Sequence, residues 1–93
     1  MKNKVKRLKG GRYKLQIDGD LRGVLAHALA AAIHFEGDDM EDYLFALLSE
    51  TLEEIQTREY PRLRRSQMLA MMHNTREYID EPTQLFFMGL LPD

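Results

Sequence analysis

RYKLQIDGDLRGVLAHALAAAIHF, residues Arg12 to Phe35, changes its hydrophobic period halfway along. Up to Ile17 it alternates, with Tyr13, Leu15 and Ile17 on one side and Arg12, Lys14 and Gln16 on the other, as a half-buried strand does. From Asp20 the spacing turns helical, and Leu21, Val24, Leu25, Ala28, Leu29, Ala32 and Ile33 fall on one stripe. Asp20 is the expected N-cap, because its carboxylate can accept from the free amides of the first turn. The joint between the two periods, Asp18-Gly19-Asp20, invites comparison with a calcium loop. With Asp18 in the first position of an EF-hand loop, Arg22 and Leu29 stand at the fifth and twelfth positions, where oxygen ligands are required. The stretch therefore reads as a strand running into a helix.

That helix looks unusual in its second face. Gly23, His27, Ala30 and His34 lie opposite the stripe, and between Leu21 and Phe35 the fully charged residue is Arg22 alone. A helix that is small or apolar nearly all round reads as centrally buried. Two neighbouring helices would not cover it, so the chain is expected to self-associate or to lay a sheet on top of it.

Working outward, Gly10-Gly11 tolerates a tight turn, which makes VKRLKGGRYKLQI a short basic hairpin or strand within an N-terminal arm, residues 1–19. On the other side Gly37 breaks the first helix, expected over 20–36. Asp38 opens a second over 38–58, where Glu41 completes an Asp-x-x-Glu variant of the capping box. Pro61 suits the first turn of a third helix over 61–80. An apolar segment over 83–91, containing LFFMGLL and capped by Thr83, adds a last turn. The expectation is one domain spanning 1–93, mainly α, with a three-helix core, a short N-terminal basic β-element and a short C-terminal apolar turn or helix.

Charge is divided along the chain. Residues 1–17 hold seven of the thirteen bases and no acid, leaving six bases against fifteen acids. From Glu36 to Glu59 nine acids face only Arg58. Such ends attract different partners. The absence of cysteine rules out disulfides, thiol nucleophiles and cysteine zinc sites, and favours a cytoplasmic home. No apolar run approaches the roughly 20 residues that a bilayer requires. After the basic start, RYKLQIDGD supplies charge where a signal peptide needs an apolar stretch.

Catalytic patterns are missing. There is no phosphate-cradling glycine loop, H-E-x-x-H or nucleophile elbow, and Ser49 and Ser66 have no adjacent base. His27 and His34 sit two turns apart, about 10.5 Å along a helix axis, too far to share a metal within one chain. Neither an enzyme nor a cofactor or metal site is expected.

A basic strand, a helix, a glycine-containing turn and a second helix, over Arg12 to Glu54, resembles the plan of ribbon-helix-helix DNA-binding proteins. The resemblance implies a dimer whose paired strands enter the major groove, with Arg12, Lys14 and Gln16, flanked by Lys9, reading base edges. The first helix is longer than in that family. Glu36, Asp38, Asp39, Glu41 and Asp42 also stand where the second helix would approach a phosphate.

The function expected from these features is that of a small non-enzymatic regulatory or inhibitory protein, self-associating and acting through protein contacts. Its partner would carry a basic surface. Candidate contacts are Asp38, Asp42, Glu50 and Glu53 of the acidic helix and Leu85, Phe86, Phe87 and Leu90 of the apolar tail. The alternative is a DNA-binding, antitoxin-like regulator working through the N-terminal basic segment.

Overall fold

Gly10 and Gly11 both adopt positive φ angles, 82° and 75°, a region open to glycine at no steric cost. The chain reverses there, as its sequence predicts. In the computed structural model, which describes residues 3–89, the turn joins β1 (Lys4–Arg7) to β2 (Arg12–Gln16). The strands are antiparallel, with Lys4 opposite Gln16, Lys6 opposite Lys14 and Arg7 opposite Tyr13. Tyr13, Leu15 and Ile17 are buried, so the expected inward face of β2 is the observed one.

Helix α1 (Gly19–Glu36) is capped two residues earlier than the expected Asp20. Asp18 is its cap, and its Oδ1 accepts from the Leu21 amide at 2.8 Å. Asn3 holds this carboxylate from outside, its Nδ2 donating to Asp18 Oδ2 at 3.3 Å while its Oδ1 accepts from the Asp18 backbone amide at 2.7 Å. Asp20 lies in the first turn instead, where an acid still favours the helix dipole.

The second helix, by contrast, starts later than expected. Gly37–Asp39 forms a short 3-10 turn, Met40 is extended, and α2 runs over Asp42–Thr57 after Glu41. Met40 packs against the core. Turning that side chain inward breaks the helical path between Asp38 and Asp42, so the Asp38–Glu41 capping box does not form.

The largest correction falls on 61–80. Arg62–Arg64 is a third strand, β3, paired antiparallel with β2 on the side away from β1. The Pro61 carbonyl accepts from the Leu15 amide at 2.8 Å, and Leu63 is buried between two exposed arginines. Pairing with β2 satisfies the backbone and buries Leu63 together, which outweighs the helix-starting preference of Pro61. Helix α3 (Arg65–Asn74) then starts where Gln67 Oε1 accepts from the Arg64 amide at 2.8 Å. It stops at Asn74, well short of Ile79. There Thr75 Oγ1 donates back to the Met71 carbonyl at 2.6 Å and Asn74 Nδ2 to the Ala70 carbonyl at 2.7 Å.

Helix α4 (Glu81–Met88) carries Pro82 in its first turn. Its cap is Asp80, not Thr83, whose hydroxyl donates to the Asp80 carboxylate. One core joins all these elements: Tyr13, Leu15 and Leu63 from the sheet, Leu25 and Leu29 from α1, Leu48 and Ile55 from α2, Met68 and Met71 from α3, and Phe87 from α4. The molecule is thus mainly α-helical with a small antiparallel sheet near its N-terminus. Among the described residues no helix is long and apolar enough to cross a membrane.

Within the single chain α1 is not enclosed on all sides. α1 buries Leu25, Ala28, Leu29 and Ala32, but Gly23, Val24, His27, Ala30, His34 and Phe35 face outward. The sheet and the other helices cover one side of α1 and leave the other open. At its end Phe35 stacks on Tyr78, with ring centroids 6.4 Å apart. Tyr78 donates to Glu36 Oε2 at 3.3 Å. Burial, and then the Glu36 charge, raise the Tyr78 phenol above its ordinary pKa.

Candidate functional site

Directly opposed residues in adjacent strands project from the same face of a sheet. The register therefore defines what the outer face of this sheet presents. One cross-strand row is Lys6–Lys14–Arg62, the next is Arg12–Arg64, and Lys4 stands opposite Gln16 at the other end. Six cations share a face three strands wide. Its inward counterpart carries Val5, Leu15, Tyr13 and Leu63. The same two-residue alternation that buries the core thus concentrates positive charge on the other side.

The surroundings of the cations are few. Lys14 Nζ lies 5.2 Å from the centroid of the Tyr60 ring, over its face. Arg64 Nη1 meets Glu50 Oε1 at 3.2 Å, both side chains being about half exposed. Glu54 serves the backbone instead, its Oε2 accepting from the Arg62 amide at 3.1 Å while Oε1 pairs with Arg58 at 3.2 Å. Arg7, on the inner side of β1, sits with its guanidinium carbon 6.0 Å from the Tyr13 ring centroid. Its hydrogen bond, helped by Arg65, lowers the Tyr13 phenol below its ordinary pKa against the opposing effect of burial.

The residues singled out from the sequence are distributed as follows. Arg12, Lys14 and Gln16 do point outward, and Lys9 is exposed beside the hairpin turn. They lie on the middle strand, however, with β1 on one edge and β3 on the other. β2 has no free edge with which to pair across a dimer, as the ribbon-helix-helix plan demands. The acidic candidates divide into two groups. Asp38, in the 3-10 turn, and Asp42, at the start of α2, stand exposed, whereas Glu50 and Glu53 lie about 12 Å or more beyond Asp42 along that helix, bordering a polar cleft with Arg12, Arg62 and Arg64. Glu50 is consequently shared with a cation of the same chain.

The apolar tail is similarly divided. Phe87 is 1% exposed and belongs to the core, whereas Leu85 is 58% exposed and Phe86 is half-buried. Phe87 is therefore unavailable to a partner, because turning once around α4 places it against the core while Leu85 faces away. Leu90 lies outside the described residues.

Arg62 and Arg64 are the residues that sequence reasoning missed for the basic face. Their signal was present in the alternation Arg62-Leu63-Arg64 after Pro61, too short to compete with a helical assignment. Among the described residues no group of three histidine, aspartate or glutamate side chains could hold a metal ion. No protein-family model, curated protein or solved structure matches the chain, so its functional reading rests on this geometry.

Proposed function

We propose that the protein binds nucleic acid through the outer face of its N-terminal sheet. The observation that carries this reading is the register itself, which places Lys14 between Lys6 and Arg62 and Arg12 beside Arg64. Like charges directly opposed on a sheet each cost on the order of 0.2–1 kcal/mol. A solubilising surface would gain by alternating signs across the strands. Cations opposed strand to strand make sense where a polyanion supplies the opposite charge, since each phosphate neutralised releases counterions into solution; the acids Glu50, Glu53 and Glu54 border only the Arg12, Arg62 and Arg64 side of the face. An anionic membrane is a poorer fit, because the apolar side chains of all three strands turn inward and leave nothing to insert.

Lys6→Thr tests this reading in two opposite directions. Threonine suits a strand and removes the charge facing Lys14, so stability is expected to rise by about 0.5 kcal/mol. Nucleic-acid binding, followed by fluorescence anisotropy across a salt series, should weaken, with the salt slope smaller by about 0.9. Failure of the native chain to bind any nucleic acid at about 50 mM salt overturns the reading.

A second reading, self-association, draws on the open face of α1. From Gly23 to Phe35 its outward residues carry no full charge, and Phe35 is 71% exposed. A second copy of the chain would cover that face without stranding a charge. Light scattering on the native chain should then give twice the monomer mass, and Ala30→Glu should return the monomer. A native chain that is monomeric at about 100 μM, a concentration at which contacts of standard interface size are populated, removes this reading.

A further inference from the structure

The basic face also indicates which form of nucleic acid it takes, an inference that rests on the binding function proposed above. Proteins that hold single strands without sequence preference stack successive bases on exposed aromatic rings. Among the described residues the strands themselves offer no such platform. Tyr13, the aromatic residue of β2, is turned into the core at 3% exposure, and the one ring at the margin, Tyr60, is 38% exposed with Lys14 over one of its faces.

Its width argues in the same direction. Adjacent strands lie about 4.8 Å apart, so the backbones of β1 and β3 are separated by roughly 9.6 Å before their side chains are added. The major groove of B-form DNA, about 12 Å wide, admits a two-stranded ribbon. A sheet one strand wider, tipped on both outer strands by Lys6 and Arg62, rests on the rims of the groove. Those rims are the phosphates of the two strands.

The row Lys6–Lys14–Arg62 spans that distance, and about 6.8 Å along β2, two residues on, Arg12–Arg64 adds a pair across β2 and β3 alone. Gln16 is the one neutral polar side chain among the paired outward residues, and the lysines and arginines beside it donate only, to phosphate or to guanine. Phosphate contacts position a protein but carry no sequence information.

We infer that the ligand is double-stranded DNA, gripped by phosphates on both sides of a groove and with little regard to sequence. Lys6 and Arg62 contact opposite strands of the duplex. Arg64, held by Glu50, contributes least.

The experiment compares 20-nucleotide probes of one mixed sequence as duplex DNA, single-stranded DNA and duplex RNA, by anisotropy over a salt series. The full chain should bind duplex DNA at least tenfold more tightly than either other form. The logarithmic salt slope should be near −4.5, from about five phosphates at roughly 0.9 each. Duplexes of A·T-rich and G·C-rich sequence should agree within threefold. Lys6→Gln and Arg62→Gln should each reduce the slope by about 0.9, and together by about twice that. Equal or tighter binding of single-stranded DNA or of duplex RNA overturns the inference while leaving the binding function standing, as does a thirtyfold preference among duplex sequences. Binding to none of the three probes removes the function and this inference together.

Discussion

Replacing Arg22 with alanine is expected to lower the melting temperature by roughly 12 °C or more. Arg22 projects from the first turns of α1 to the far end of α2, where its Nη1 donates to the carbonyls of Ile55 and Arg58 and its Nη2 to that of Glu59. The last carbonyls of a helix have no partners within it. α2 has no basic residue in its own last turn, so the cation that its negative end favours comes from another helix. Hydrogen bonds involving a charged group contribute about 1.5–3 kcal/mol each. Partial exposure and the availability of water to the outer carbonyls reduce the total to roughly 3 kcal/mol. For a domain of this size each kcal/mol corresponds to about 4–8 °C. Arg22→Lys keeps the charge but loses the planar fork, and should recover less than half of the difference. Thermal unfolding followed by circular dichroism measures both variants. A shift under about 3 °C for the alanine variant, well below what one such bond supplies, would show that the contact is not an anchor.

The second large effect belongs to Phe87. Truncating a buried phenylalanine to alanine costs about 3–5 kcal/mol, through lost transfer energy and the cavity left behind. Phe87 packs edge-on to Phe86, with centroids 5.2 Å apart, and is the one buried residue of α4. An eight-residue helix has little stability of its own. Phe87→Ala should therefore both lower the urea midpoint and open α4 to protease, whereas Leu85→Ala should stay within about 0.5 kcal/mol of the native chain. Comparable losses for the two variants would mean that α4 is not docked through Phe87. The contrast also separates stability from partner binding in a segment that is apolar throughout its sequence.

Much of this architecture is legible before folding. The alternation of Tyr13, Leu15 and Ile17 announces which side of β2 is buried, because side-chain direction in a strand depends only on parity. Gly10-Gly11 marks the turn, and the stripe from Leu21 to Ile33 marks the buried side of α1 except at Val24, which lies at its edge and is exposed. The limits of helices are less secure. Asp18 and Asp20 are equally good caps by residue type. The choice falls on Asp18 because Asn3, fifteen residues away, holds it in place. Met40 ends one helical path by turning toward a core that no local pattern describes.

The candidate site was half visible. Arg12, Lys14 and Gln16 share a face by parity alone, and Lys4 and Lys6 belong to an evidently basic arm. That Arg62 and Arg64 complete the same face depends on β3 pairing with β2 across more than forty residues of intervening chain. Local preference at Pro61 favoured a helix there. Burial of Leu63 and the short ladder of backbone hydrogen bonds to β2 reversed that preference, and both exist only once the helices have brought the segments together.

By itself, then, the sequence determined the helical class, the hairpin and the inward side of each periodic segment, since these follow from the spacing of apolar groups along a short length of chain. Tertiary structure alone decided that Arg22 anchors α2, that Phe87 is core, and that cations from three separate strands stand side by side. Each depends on contacts between distant segments, whose energies appear only when water has been excluded between them.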